Sequence, residues 1–340
     1  RDYAVTGVQT CALPIFSQTY FDGWRENSRS KRGIINFGIN SALSNKSNLG
    51  VYLAATENLF HIPGPLSQKQ FDSSITMANP TYKMRSERRF NRLGRMGLTF
   101  DYNFDESNSI SSMVFVNPKF LQRSERNTFR DFTRYHVGGN FLYKNLMNIT
   151  SNLENKFLFG IDQAYQDGAI LFYSLTPTGG RGTTLRTNKR EGANTFGSFV
   201  QNELILNNQI TFLAGARYDN ITYSNESFMA PIVKLQSKSF TKITPKFGFT
   251  YRFAERHMLF LNFGGGVEVP AGNETDPANT FGQDTVFALN PLLEPITSTT
   301  LELGTKHAIN FDNLFLHAVN YELSLYSISV KNDIIPYQGG

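Results

Sequence analysis

From Gly33 onward the chain repeats one theme, 10–18 residues of alternating apolar and polar character followed by a turn. In Arg95–Phe104, the side chains of Met96, Leu98, Phe100, Tyr102 and Phe104 share one face, while Gly97, Thr99, Asp101 and Asn103 share the other. That period of two is the signature of a strand. Thr241–Phe253 repeats it, with Ile243, Pro245, Phe247, Phe249, Tyr251 and Phe253 opposed to Lys242, Thr244, Lys246, Gly248, Thr250 and Arg252. Extended along the chain, the pattern predicts twelve strands at 33–43, 48–60, 87–104, 109–123, 129–143, 151–166, 192–206, 210–224, 238–253, 258–269, 296–309 and 314–331. Most are longer than the five or six residues usual for a soluble strand.

Every second connection is short and polar, at 44–47, 105–108, 144–150, 207–209, 254–257 and 310–313. The intervening ones are mostly long, at 61–86, 167–191, 225–237 and 270–295, with 124–128 the exception. This alternation predicts antiparallel neighbours with the tight turns gathered at one end. In a soluble sandwich the apolar faces of two sheets pack on each other; in a membrane barrel the apolar face meets lipid and the polar face lines the interior. A spanning strand needs about 9–11 residues, and nearly every predicted strand reaches that length. The expected fold is therefore all-β, an antiparallel transmembrane β-barrel.

Composition agrees. The 340 residues include 30 Phe, 15 Tyr and one Trp, yet the mean hydropathy is only −0.31. Disordered chains are poor in aromatics, and no stretch approaches the roughly 18 uninterrupted apolar residues of a spanning helix. A net charge of +5 suits any anionic partner without choosing one.

Residues 1–15 stand apart. The run Val5–Ile15 is similar to the translation of a short-read sequencing adapter, with Arg1-Asp2 fitting the preceding bases and Tyr3-Ala4 an index. It lacks the basic and apolar regions of a signal peptide. The expectation is that residues 1–15 make few contacts with the sheet and that the genuine domain is 16–340. The only cysteine, Cys11, falls in the excluded run, which leaves no thiol for a disulfide, a metal set or nucleophilic catalysis.

In the second half, GSFVQNEL at Gly197–Leu204, GARYD at Gly215–Asp219, ITPKFGFTYRF at Ile243–Phe253, LFLNFGGGVEVP at Leu259–Pro270, and NPLLEP at Asn290–Pro295 followed by TLELG at Thr300–Gly304 resemble, in order and spacing, the TonB-dependent receptors. Upstream, Phe21–Ser28 and Pro63–Phe71 look like the ferric-citrate and siderophore branch. The resemblance runs from about residue 17 to 335. It implies a receptor and transporter in the outer membrane of a Gram-negative cell, taking up a scarce nutrient such as ferric citrate or another ferric chelate. It also implies a 22-stranded barrel with an N-terminal plug and a TonB-binding box. This chain has no match to the plug or the box, so an open arc of about 12 of 22 strands is expected, not competent for transport alone. A passive porin is the alternative, but a porin would lack the Asn290–Gly304 signature. The expected partners are an anionic ferric chelate, the TonB complex through a region outside this chain, and outer-membrane lipid and lipopolysaccharide; nucleic acid is not expected.

Basic residues crowd the long-connection side: Arg85, Arg88, Arg89, Arg92 and Arg95, then Arg123, Arg126 and Arg130, then Arg181, Arg186, Lys189 and Arg190. Arginine forks match carboxylates bidentately. Arg85, Arg88, Arg181, Arg186 and Arg190 are the candidate ligand-binding residues, against the plainer reading that loop arginines meet lipopolysaccharide phosphates or water. Arg217, Asp219, Glu302 and Lys306 are expected to face inward, toward a plug or, preferentially, within an ion-pair ladder. The five histidines, His61, His136, His257, His307 and His317, show no close ligand spacing, so no metal or cofactor is expected. Gly264–Gly266 is followed by neither a helix nor a Lys-Ser/Thr pair, and reads as a strand bend rather than a phosphate loop. No nucleophile with a base in reach is evident, so an enzyme is not expected.

Overall fold

The computed structural model describes residues 10–125, 127–229, 232–269, 289, 294–311 and 317–333. Among them thirteen strands form one antiparallel sheet in which each pairs only with its sequence neighbours. In order they are β1 (Thr10–Phe21), β2 (Ser30–Ser44), β3 (Ser47–His61), β4 (Arg88–Asn103), β5 (Asn108–Glu125), β6 (Thr128–Thr150), β7 (Leu153–Leu175), β8 (Arg181–Leu206), β9 (Ile210–Ser227), β10 (Val233–Ala254), β11 (His257–Glu268), β12 (Ile296–Asn310) and β13 (Ala318–Lys331). The sheet is open: β1 and β13 end the order and do not pair with each other. Among the described residues 33–43 pairs only with β1 and β3, and 318–331 only with β12, so the closed twelve-stranded pore of the porin alternative is not formed.

One extra strand corrects, over residues 10–15, the expectation of few contacts with the sheet. Thr10–Ile15 do not stand clear of the sheet; they continue β1, and Cys11 lies opposite Asn40 and Ile15 opposite Asn36. The physical reason is that a sheet edge offers a row of unpaired backbone N–H and C=O groups, and ladder pairing along β2 asks little of side-chain identity. Residues 1–9 lie outside the described residues.

Three connections are shorter than expected. Residues 167–191 are mostly strand, leaving only 176–180 between β7 and β8; 225–237 shrinks to 228–232; and 144–150 lie inside β6, which leaves 151–152 as the turn. Gly168 explains the first. It reads as a turn signal, but a Cβ there would collide with the Thr133 carbonyl and the Arg134 side chain across the β6 ladder, so it marks a close approach of strands rather than a break. β8 reaches 26 residues, about 85 Å of chain at roughly 3.3 Å per residue. Even tilted by about 40°, it far exceeds the ~25 Å apolar band of an outer-membrane barrel. The strands therefore rise well past the membrane on the long-connection side. There 62–87 folds into a small cap carrying α1 (Gln68–Ser73) and α2 (Pro80–Met84), held by Arg25, whose guanidinium donates to the carbonyls of Gly64 and Met77.

The faces sort as the alternation demands. Directly opposed residues share a face, so the chain of pairs Phe249–Leu261, Leu261–Leu303 and Leu303–Leu325 forms one apolar row. Its three leucines are 41–72% exposed, and Phe249 is half-buried. On the other face Lys242 lies opposite Asp219, Thr244 opposite Arg217, and Asn262 opposite Glu302. A continuous apolar band of this extent is foreign to a soluble monomer and fits a surface that meets lipid.

Candidate ligand-binding site

On the polar face near the long-connection end, register brings three arginines into one row: Arg89 lies opposite Arg123, and Arg123 opposite Arg130. Like charges placed directly across strands repel. One carboxylate, Glu125, partly offsets them: Arg89 Nε donates to it at 2.7 Å, and Arg123 Nη1 lies 4.0 Å away. Arg130 Nε donates to Thr128 Oγ1 at 3.3 Å, and rings support two of the groups, with the Arg123 guanidinium 5.6 Å from the Phe132 ring centroid and that of Arg130 4.7 Å from Phe172. Phe132 and Phe172 pack edge to face at 5.7 Å, and Phe172 and Ile170 are buried. Arg123 Nε is buried with no hydrogen-bond partner. Burial, and then the neighbouring Arg89, push the Arg123 guanidinium below its ordinary range against the pull of Glu125. Three guanidinium groups, one carboxylate and an apolar floor make a half-buried cationic shelf suited to an anion. Further along the same face Arg134 and Lys189 share Glu191 at 3.0 and 2.7 Å.

The five arginines singled out by sequence do not assemble into this shelf. Arg85 lies 3.8 Å from the buried Glu87. Arg88 sits on the opposite face, across from Ser124, and donates to the Ser86 carbonyl. Arg190 also turns to the opposite face and grips Asp167 with two hydrogen bonds of 2.8 and 2.7 Å, which hold the Asp167 carboxyl below its usual range. Arg181 lies over the Tyr173 ring at 4.0 Å, and Arg186 donates to the Asn127 carbonyl. For Arg88 and Arg190 the reason is parity: in a strand, a shift of one residue moves a side chain to the other face. Arg89, Arg123 and Arg130 were visible as part of the basic crowd, and a signal separating them was available. Arg123 and Arg130 are equidistant from the 126–127 turn, and Arg89 and Arg123 from Glu106 in the turn before it. Arg126 lies outside the described residues.

Lower on the polar face, Arg217 forms a fork with Asp162 (2.8 and 3.1 Å) and donates through Nε to Asp219 at 2.8 Å. Glu302 accepts from the Asn262 amide at 3.1 Å, and Lys306 pairs with Glu322 at 3.0 Å. The guanidinium of Arg217 lies where a Cβ on Gly197 would be. Gly197→Val should displace Arg217 from Asp162 and lower barrel stability by about 1 kcal/mol at most, because the group in the way is the end of a flexible, partly exposed side chain. Urea titration of heat-modifiable gel mobility measures it, and an unchanged midpoint would contradict the packing.

Residues 22–340 match the family model described as "TonB dependent receptor-like, beta-barrel". No curated protein sequence matches the chain. Among solved structures, the unliganded ferric citrate transporter FecA superposes with a TM-score of 0.72 at 16% identity, covering 96% of this chain and 47% of that one. The siderophore receptor PiuA from Acinetobacter baumannii gives 0.66 at 11% identity, with 96% and 53% covered. The ferric-catecholate import receptor Fiu from E. coli K12 gives 0.65 at 12% identity, with 96% and 56% covered. The chain thus spans about half the length of these structures, and at such identities the likeness is one of fold.

Proposed function

Because the chain belongs to the TonB-dependent receptor β-barrel family, we propose that the protein it forms part of is an outer-membrane receptor and transporter that captures an anionic ferric chelate, such as ferric citrate or a siderophore. The observation that carries this reading is the Arg89–Arg123–Arg130 shelf, placed on the polar face beyond the membrane band. In a barrel that face lines the interior, so the shelf lies on the path of an entering ligand. Guanidinium forks match the carboxylates of such a chelate, and charge-assisted hydrogen bonds are the strong ones. A positive mouth also raises the local concentration of an anion. The role is transport rather than catalysis, energised through the TonB complex, in the outer membrane of a Gram-negative cell. Lipopolysaccharide phosphates are the proposed partners of the outward face that carries Arg88 and Arg190.

The test is equilibrium binding to the complete receptor in detergent. Ferric citrate should bind, and its affinity should fall steeply between about 50 and 200 mM salt, since screening shortens the reach of charge. A neutral ferric chelate of similar size should bind at least tenfold more weakly. Equal affinity for both would overturn the anionic assignment.

A further inference from the structure

Two of the five histidines, fifty positions apart in sequence, meet at the opposite end of the sheet. His257 opens β11 directly after the 255–256 turn and lies across the ladder from His307 on β12. Their Nδ1 atoms are 2.7 Å apart. The tautomers follow from the surrounding bonds. Thr305 Oγ1 donates its proton to the Met258 carbonyl at 2.9 Å, so toward His307 Nε2, 2.6 Å away, it can only accept. His307 therefore carries its proton on Nε2 and turns a bare Nδ1 lone pair toward His257, whose Nδ1–H donates to it. Phe253 stacks on His257 at 5.8 Å and Tyr321 on His307 at 4.8 Å, which fixes both ring planes. Both rings are half-buried, on the same face as Leu261 and Leu303 but at its turn end, beside the aromatic rings of the interface.

We propose that His257 and His307 form a binding site for one borderline transition-metal dication, Cu²⁺ or Zn²⁺, in which the metal takes the place of the proton shared between the two Nδ1 atoms. Imidazole nitrogen suits these ions. At about 2.0–2.1 Å per metal–nitrogen bond, tetrahedral ligands sit roughly 3.4 Å apart, so the rings must part by well under one ångström. That is a small rotation for partly exposed side chains at strand ends. On binding, the Nδ1 proton of His257 leaves to water and its Nε2 takes one up, so both imidazoles remain neutral. Metal-ligating histidines characteristically donate their second N–H to an oxygen that fixes the ring, and Thr305, itself anchored on Met258, already does this for His307. Among the described residues no three of His, Cys, Asp and Glu converge, so water fills the remaining positions. The two ligands come from neighbouring strands, and the ion would bridge β11 to β12 beside their turn. Nothing in this assignment depends on the anionic ligand proposed for the other end.

The experiment is Cu²⁺ titration of the complete receptor, purified without a polyhistidine tag, followed by calorimetry and electron paramagnetic resonance. One equivalent should be lost when both histidines are replaced by Ala, and its spectrum should show coupling to two imidazole nitrogens. His257→Ala and His307→Ala should each weaken binding at least tenfold, and Thr305→Val by about tenfold, within the range for removing such a supporting partner. Heat-modifiable gel mobility reports folding of each variant; if an alanine variant does not fold, His257→Gln keeps the size of the side chain and serves instead. Identical stoichiometry in wild type and the double variant, no uptake at all, or a one-nitrogen spectrum would overturn the proposal.

Discussion

Arginine in place of Leu261 should destabilise the membrane-inserted barrel by about 2–4 kcal/mol, whereas arginine in place of its neighbour Asn262 should leave it nearly unchanged. Leu261 lies in the apolar row between Phe249 and Leu303 and is 41% exposed to whatever surrounds the barrel. A charge there must enter hydrocarbon, and arginine at mid-bilayer on the lipid face costs about that much. Asn262 points the other way and already touches Glu302, so a guanidinium at that position gains an ion-pair partner on the water-lined side. Denaturant titrations of barrels folded into phospholipid vesicles report both values. Equal costs at the two positions would mean that the sheet is not sorted into lipid and interior faces.

That contrast rests on alternation, which is why so much of the fold was legible. Period-two patterning over Arg95–Phe104 and Thr241–Phe253 identified the strands and their faces without any tertiary information, because in a two-faced sheet each residue has only two destinations. Strand ends were less legible. Gly168 carries the mark of a turn, yet sits inside the β7–β8 ladder because a neighbouring strand passes close to it. The edge strand over Thr10–Ile15 was illegible for a different reason: its pairing comes from the free edge of β2, which no local pattern in residues 10–15 announces. The site was only half legible. Composition located the basic crowd, but choosing among its members required register. Register follows from tight-turn centres, but the long connection between β11 and β12 supplies none, so the pairing of His257 with His307 across fifty residues shows only in the ladder. Side-chain company, such as Asp167 gripping Arg190, has no local signature at all.

Removing the charge from Arg123 should weaken binding of ferric citrate by about 10- to 100-fold and at the same time leave the empty barrel as stable as before, or more so. The first half follows from the size of a charged hydrogen bond, roughly 1.5–3 kcal/mol, with each 1.4 kcal/mol equal to a factor of ten. The second half follows from the row itself. Arg123 is flanked by Arg89 and Arg130 with Glu125 the nearby carboxylate, and its buried Nε lacks a partner. Arg123→Met keeps most of the length over the Phe132 ring while relieving repulsion and desolvation. Opposite signs for affinity and stability are the mark of a group retained for binding rather than folding. Arg190→Ala is the contrast: it breaks an ion pair with Asp167 whose arginine is 53% exposed. Such pairs contribute at most about 1 kcal/mol, and the chelate should bind as tightly as before, with its salt dependence intact. Ferric citrate titrations and urea midpoints on the same four proteins, wild type, Arg123→Met, Arg190→Ala and the Arg89→Met/Arg123→Met/Arg130→Met triple variant, separate these outcomes. The triple variant should flatten the dependence of affinity on salt. If Arg123→Met instead lowers stability and leaves affinity alone, the row is part of the barrel's framework and the ligand is held elsewhere.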